Sequence, residues 1–166
     1  PGEMAETGKT ILAGDADKWA VVPSSDNGGD TLGNRWRGSR EPFDHDDWDS
    51  GNDGVGYDQN ADYDPHIGID VDAEMNDVNQ SVFVRIPFRV SAADRKKSNF
   101  MVLHMKYDDG FSAFINGEPI ASANAPSVGS LRWDSEATSL HDDGDAVIFD
   151  DFAGSVPGGT VVAGAT

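Results

Sequence analysis

The chain has 166 residues, no cysteine, and 12 basic against 30 acidic side chains, a formal net charge of −18. That length suffices for one domain with its own core. The missing cysteines exclude disulfide staples and thiolate metal sites, and the charge argues against nucleic acid or anionic membrane as partner, since both repel such a surface. No apolar run approaches the roughly eighteen residues of a membrane span. The acids are 24 Asp and only 6 Glu, beside 19 Gly. Asp competes for backbone hydrogen bonds and favours turns over helices. This composition predicts an all-β, loop-rich protein. It also suits Ca²⁺, which takes many oxygen ligands from flexible loops.

In chain order, residues 1–9 read as an N-terminal tail and 10–166 as a single module; the start at Pro1 suggests a segment excised from a longer protein. "TILAG" (10–14) and "KWAVVP" (18–23) are the first predicted strands, and "DNGGDTLGN" (26–34) a loop. Between Glu41 and Val84 there is no Lys or Arg, yet there are 13 acids together with Phe43, Trp48, Tyr57, Tyr63, Ile67, Ile69 and Val71. So acidic a segment repels itself when compact, and bound cations are the simplest remedy. Within it, Asp58, Asn60, Asp62 and Asp64 alternate in "DQNADYD". Side chains at every second position of a curled loop can converge on one hard cation. Tyr63 and Ile69 stand where an EF-hand needs Gly and Glu, so the loop is calcium-like without being an EF-hand; a solvated acidic loop is the competing reading. "DHDDWDSGNDGVGY" (44–57) is a second acidic run, with Trp48 expected to pack down on the core. "DVDAEMNDVNQ" (70–80) has room for a helical turn or two.

"SVFVRIPFRV" (81–90) alternates Val82, Val84, Ile86 and Phe88 against Phe83 and Arg85, a half-buried strand in which Pro87 suggests an edge or a bulge. "NFMVLHMKY" (99–107) sets Met101, Leu103, Met105 and Tyr107 on one face. "FSAFI" (111–115) and "EPIASA" follow. Two turn dipeptides, Asp109-Gly110 and Asn116-Gly117, have the residues that two-residue hairpins favour. "AVIFDDF" (146–152) and "TVVAGA" (160–165) are the last predicted strands. Short strands with frequent turns predict a single antiparallel β-sandwich or jelly roll.

His45, His66, His104 and His141 lack zinc-site spacing, and no nucleophile elbow is present. Trp133, in the polar stretch "SLRWDSEATSLHDDGD" (130–145), can either stack on a sugar ring or plug the end of the fold.

The succession "FDHDDWDSGNDGVGY", "PHIGIDV", "VFVRIPFRV" and "YDDGFSAFINGEPIASANAP" resembles the galactose-binding-like jelly-roll modules of large secreted bacterial proteins, from about Thr10 to Phe152. That resemblance implies a non-catalytic carbohydrate-binding module with a structural Ca²⁺. Such a module is extracellular or at the cell surface, and monomeric within a multidomain chain that can include an enzyme. Strand, Asp-Asp-Gly, strand, Asn-Gly, strand also resembles the hairpin of protective-antigen-type lectin domains. There, two successive Asp residues joined by a cis peptide hold a Ca²⁺ that contacts sugar hydroxyls. Carried over, those are Asp108 and Asp109. The turn reading instead makes Asp109-Gly110 a type I′ turn, with Asp108 solvated or bonded to backbone. The candidate metal ligands are therefore Asp58, Asn60, Asp62, Asp64, Asp108 and Asp109. The candidate ligand-contacting residues are Trp133, Asp108, Asn116 and Tyr107. The expected partner is a polysaccharide or glycan, with a peptide or cell-surface protein as the alternative.

Overall fold

The computed structural model describes residues 8–60, 63–97, 101–154 and 163–165. Strands dominate and the helices are short. Six strands form one antiparallel sheet. They are β1 (Lys18–Val21), β2 (Asp49–Gly51), β5 (Phe83–Ile86), β7 (Phe111–Ile115), β8 (Glu118–Ala123) and β10 (Ala163–Ala165), in the order β2-β1-β5-β10-β7-β8. Two further pairs stand apart: β3 (Gly54–Gly56) runs parallel to β4 (Ile67–Asp70), and β6 (Met101–Met105) antiparallel to β9 (Asp150–Gly154). The molecule is thus a small β-rich domain of open sheets.

Both faces of the β1–β5 ladder are covered. Ala20 is paired with Val84 in register, and their face meets Val22, Ile69 and Val71, with Val55, Tyr57, Met75 and Val82 around them. The opposite face carries Phe83 and Arg85, buried to 5% and 4% exposure. Trp36 stacks on Phe83 there, ring centroids 4.2 Å apart, with Phe114 meeting it edge-on. The alternation of 82–88 is therefore correct, but the strand is buried on both sides. Pro87 marks the end of β5, which stops at Ile86 and lies inside the sheet between β1 and β10. Lacking an N–H, Pro would break an interior ladder.

Three expectations change locally. "TILAG" forms bends and a turn. The acidic run 44–57, for which no strand was predicted, holds β2 and β3. "SAADRKK" contains the helix α2 (Ala92–Lys97); Ser91 Oγ accepts the Asp94 amide (3.1 Å) and donates to Asp94 Oδ2 (2.6 Å), a reciprocal cap. The expected turn in 70–80 is α1 (Asp72–Met75), and the last short helix is α3 (Asp143–Ala146).

Two cations from outside the basic-free segment, Lys18 and Arg85, reach into it. The Lys18 ammonium donates to the Gly14 carbonyl (3.1 Å) and the Asp53 carbonyl. Arg85 pairs with Glu41 at 2.5 Å, donates to the Trp36 carbonyl and lies over the Phe43 ring. Trp48 packs edge-on against that same Phe43; both are half-buried, so it anchors the loop without entering the core.

Candidate functional site

The two turn dipeptides have different fates. Asn116 (φ 52°) and Gly117 (φ 86°) form the left-handed pair that closes β7 onto β8, as the dipeptide predicts. Its tip docks on the 3₁₀ turn Arg35–Arg37 through Gly117 N–H donating to Arg37 O (2.8 Å). Asp109 and Gly110 do not form such a turn. Neither has positive φ, and the Asp108–Asp109 peptide is cis. β6 and β7 are not hairpin partners: one pairs with β9, the other with β8 and β10. The type I′ turn reading therefore does not hold for Asp109-Gly110. Gly110 is needed for space: a Cβ there would lie 2.5 Å from the Asn124 carbonyl and 2.9 Å from that of Ala123.

The Asp108–Asp109 corner is held from several sides. The Asp109 carboxylate accepts the His141 amide (2.9 Å), and its carbonyl accepts the Asn124 side-chain amide (2.9 Å). Asn124 itself has φ 47°. The His141 ring stacks on Tyr107 at 4.1 Å and bonds the Tyr107 carbonyl through Nδ1 (2.8 Å). Phe111 and Phe152 complete an aromatic floor. Burial pushes the Asp108 carboxyl above its ordinary range. The adjacent Asp109 and Asp143 charges, and a side-chain hydrogen bond to Asp109, push the same way. A second carboxyl group in contact disfavours the charged form of the first, and a nearby cation offsets that repulsion. Tyr107 has one ring face taken by His141, and burial and Asp150 raise its phenol. Asn116 lies at the far end of β7, about 15 Å away at 3.3 Å per residue. It belongs to a different edge from Asp108.

The second candidate set is partly assembled. Asp58 and Asp64 line an open cleft of about 340 Å³ together with Asp70 and Asp72. The "DQNADYD" pattern offered Asp58 and Asp64; Asp70 and Asp72 were missed because β4 and the start of α1 bring them in from outside it. Asp58 bonds the amides of Asn60 (2.8 Å) and Tyr63, and Asp70 that of Asp72 (2.9 Å). Asn60 is exposed, and Asp62 lies outside the described residues. Among the described residues no three His, Asp or Glu side chains converge into a complete ion cage. The two candidate sets are neighbours: the Tyr63 hydroxyl donates to the Asp143 carbonyl at 3.2 Å.

Trp133 is half-buried and lines another cleft, about 310 Å³, with Trp36, Arg37, Phe83, Asp30 and Asn34. Its loop is held by Ser81 Oγ donating to Ser135 O (2.6 Å) and Thr138 N–H donating to Asn124 O (2.7 Å). Arg37 is 8% exposed, and its guanidinium lies 4.3 Å from the Phe114 ring centroid and 5.7 Å from that of Trp36. Burial lowers its pKa. A desolvated cation–π contact contributes about 2 kcal/mol, whereas burying an ion costs several, so the rings alone do not compensate this charge. The chain matches no protein-family model, no curated protein and no solved structure.

Proposed function

We propose that this protein is a non-catalytic, extracellular carbohydrate-binding module of jelly-roll type, built around Ca²⁺ at the Asp108–Asp109 corner. The carrying observation is the corner itself: two successive carboxyl groups, the Asp109 carboxylate held by the His141 amide and its carbonyl by the Asn124 side chain, with the Asp143 charge acting on Asp108. Hard oxygen donors of this kind suit Ca²⁺ over softer metals. Asp109 is oriented by His141 and Asn124, so the pair is pre-set for a ligand. Once bound, Ca²⁺ supplies charge and open coordination positions to which the vicinal hydroxyls of a sugar can bind. The Asp58–Asp64 loop, tethered through Tyr63 to Asp143, would support the same edge.

A glycan array probed with the protein in Ca²⁺ and again in chelator tests the reading. Binding in Ca²⁺ that vanishes with chelator, and in the Asp108→Asn variant, is expected. If no glycan is retained in Ca²⁺ while a peptide panel is, the domain is a calcium-dependent peptide-binding or adhesion module.

A further inference from the structure

We propose that the cleft beneath Trp133 is a second recognition site, which takes the carboxylate of an acidic sugar, a uronic acid residue. The argument starts from Arg37. It is nine-tenths buried, and among the described residues no carboxylate lies within ion-pair distance of it. Among the described residues its Nε–H has no hydrogen-bond partner. Beside it Trp36, 1% exposed, has a donor, Nε1–H, that is also unpartnered among the described residues. Buried donors and buried charges are normally satisfied. Here two adjacent residues that line one cleft each hold an unpartnered donor just below its surface, and one of them is cationic. The complementary group is an anionic acceptor with no hydrogens of its own to place, and a carboxylate answers that description.

The rest of the cleft narrows the class. Asp30 and Asn34 offer oxygen acceptors, which suit hydroxyl donors and would repel a ligand that was anionic throughout. Trp133 provides an indole beside them, and aromatic faces pack on the apolar face of sugar rings. A ring bearing one carboxylate and several hydroxyls uses all of these groups. The surrounding charge of −18 disfavours a polymer acidic at every residue, so a glycan with isolated uronate units is the better fit. The choice of a sugar rests on the carbohydrate reading above; the carboxylate does not.

The test uses the full chain in chelator, so that the Asp108–Asp109 corner takes no part. Glucuronate and glucose are titrated while the indole N–H signals of the four tryptophans are followed by NMR. Glucuronate should shift the Trp36 and Trp133 signals saturably and bind at least tenfold more tightly than glucose. Arg37→Met should abolish that preference. Trp133→Ala, at a half-buried position, should weaken glucuronate at least fivefold and serves if Arg37→Met does not fold. Equal affinity for the two sugars, unmoved Trp36 and Trp133 signals, or a preference that survives Arg37→Met would overturn the proposal. Calcium-dependent capture of neutral glycans without a uronate preference removes this cleft and leaves the corner site standing. Uronate binding in chelator with no calcium-dependent capture does the reverse.

Discussion

The Tyr63 hydroxyl donates to the Asp143 carbonyl at 3.2 Å, across eighty residues of sequence. It ties the acidic 58–64 loop to the helix start whose Asp143 charge acts on Asp108. Tyr63→Phe removes the donor and keeps the ring. A loss of about 0.5–1.5 kcal/mol is expected for such a bond, read by urea denaturation. If the two loops support one site, Tyr63→Phe also reduces the stabilisation gained from Ca²⁺.

Melting in Ca²⁺ and in chelator tests the ion directly. An ion at a hundred times its Kd stabilises by about 2.7 kcal/mol, a rise of roughly 5–10 °C for a chain of this size. Asp108→Asn should lose most of that rise. Identical melting curves would remove the metal from the account.

The pH dependence of the ion-free protein follows from Asp108. Its carboxyl is held above its ordinary value by burial and by Asp109 and Asp143. A group whose folded pKa is raised favours folding while protonated. Its contribution is complete below the unfolded-state value and is lost as pH rises through the folded one. In chelator, stability should therefore fall across that window, and Asp108→Asn should flatten the dependence. Ca²⁺ affinity should rise over the same window, because the ion needs the carboxylate. An ion-free protein whose melting is unchanged by Asp108→Asn at every pH would contradict this.

Two glycines separate conformation from space. Gly117→Ala imposes a side chain on a backbone at φ 86° and sets its Cβ 2.6 Å from that of Ser39. A cost of about 1–2 kcal/mol is expected from the dihedral alone, read as a lower denaturation midpoint. Gly110→Ala meets two carbonyl oxygens of the Ala123–Asn124 backbone, which cannot rotate away. That variant should shift the Asn124 and His141 amide resonances as well, since both residues bond Asp109.

The core prediction concerns Phe114, 1% exposed, beneath Trp36 and Arg37. Phe114→Ala should cost about 3–5 kcal/mol. Phe149→Ala, at an exposed position, should cost well under 1 kcal/mol.

What the sequence reveals here is local chemistry with a short reach. The alternation in 82–88 identifies the faces of β5, and Asn116-Gly117 identifies the β7–β8 hairpin, because both signals act within a few residues. Asp109-Gly110 carries the same turn chemistry as Asn116-Gly117, yet its flanking strands pair elsewhere, which no dipeptide encodes. Asp58 and Asp64 meet Asp70 and Asp72 only because β4 runs beside β3. Trp133 was legible as a residue able to bind; its partnership with Trp36 and Arg37 was not, because it depends on a loop docked through Ser81 and Asn124. The helix α2 was missed, although Ser91 and Asp94 had the spacing of a cap.

β10 has a consequence for assembly. It lies in the middle of the main sheet, pairing β5 on one side and β7 on the other, though it comes from the final residues of the sequence. The β7-β8 hairpin closes from adjacent residues, whereas β1 meets β5 across more than sixty residues, and the two halves of the sheet are joined only through β10. Contacts so distant along the chain slow folding, and until they form, β5 and β7 present open strand edges to other molecules.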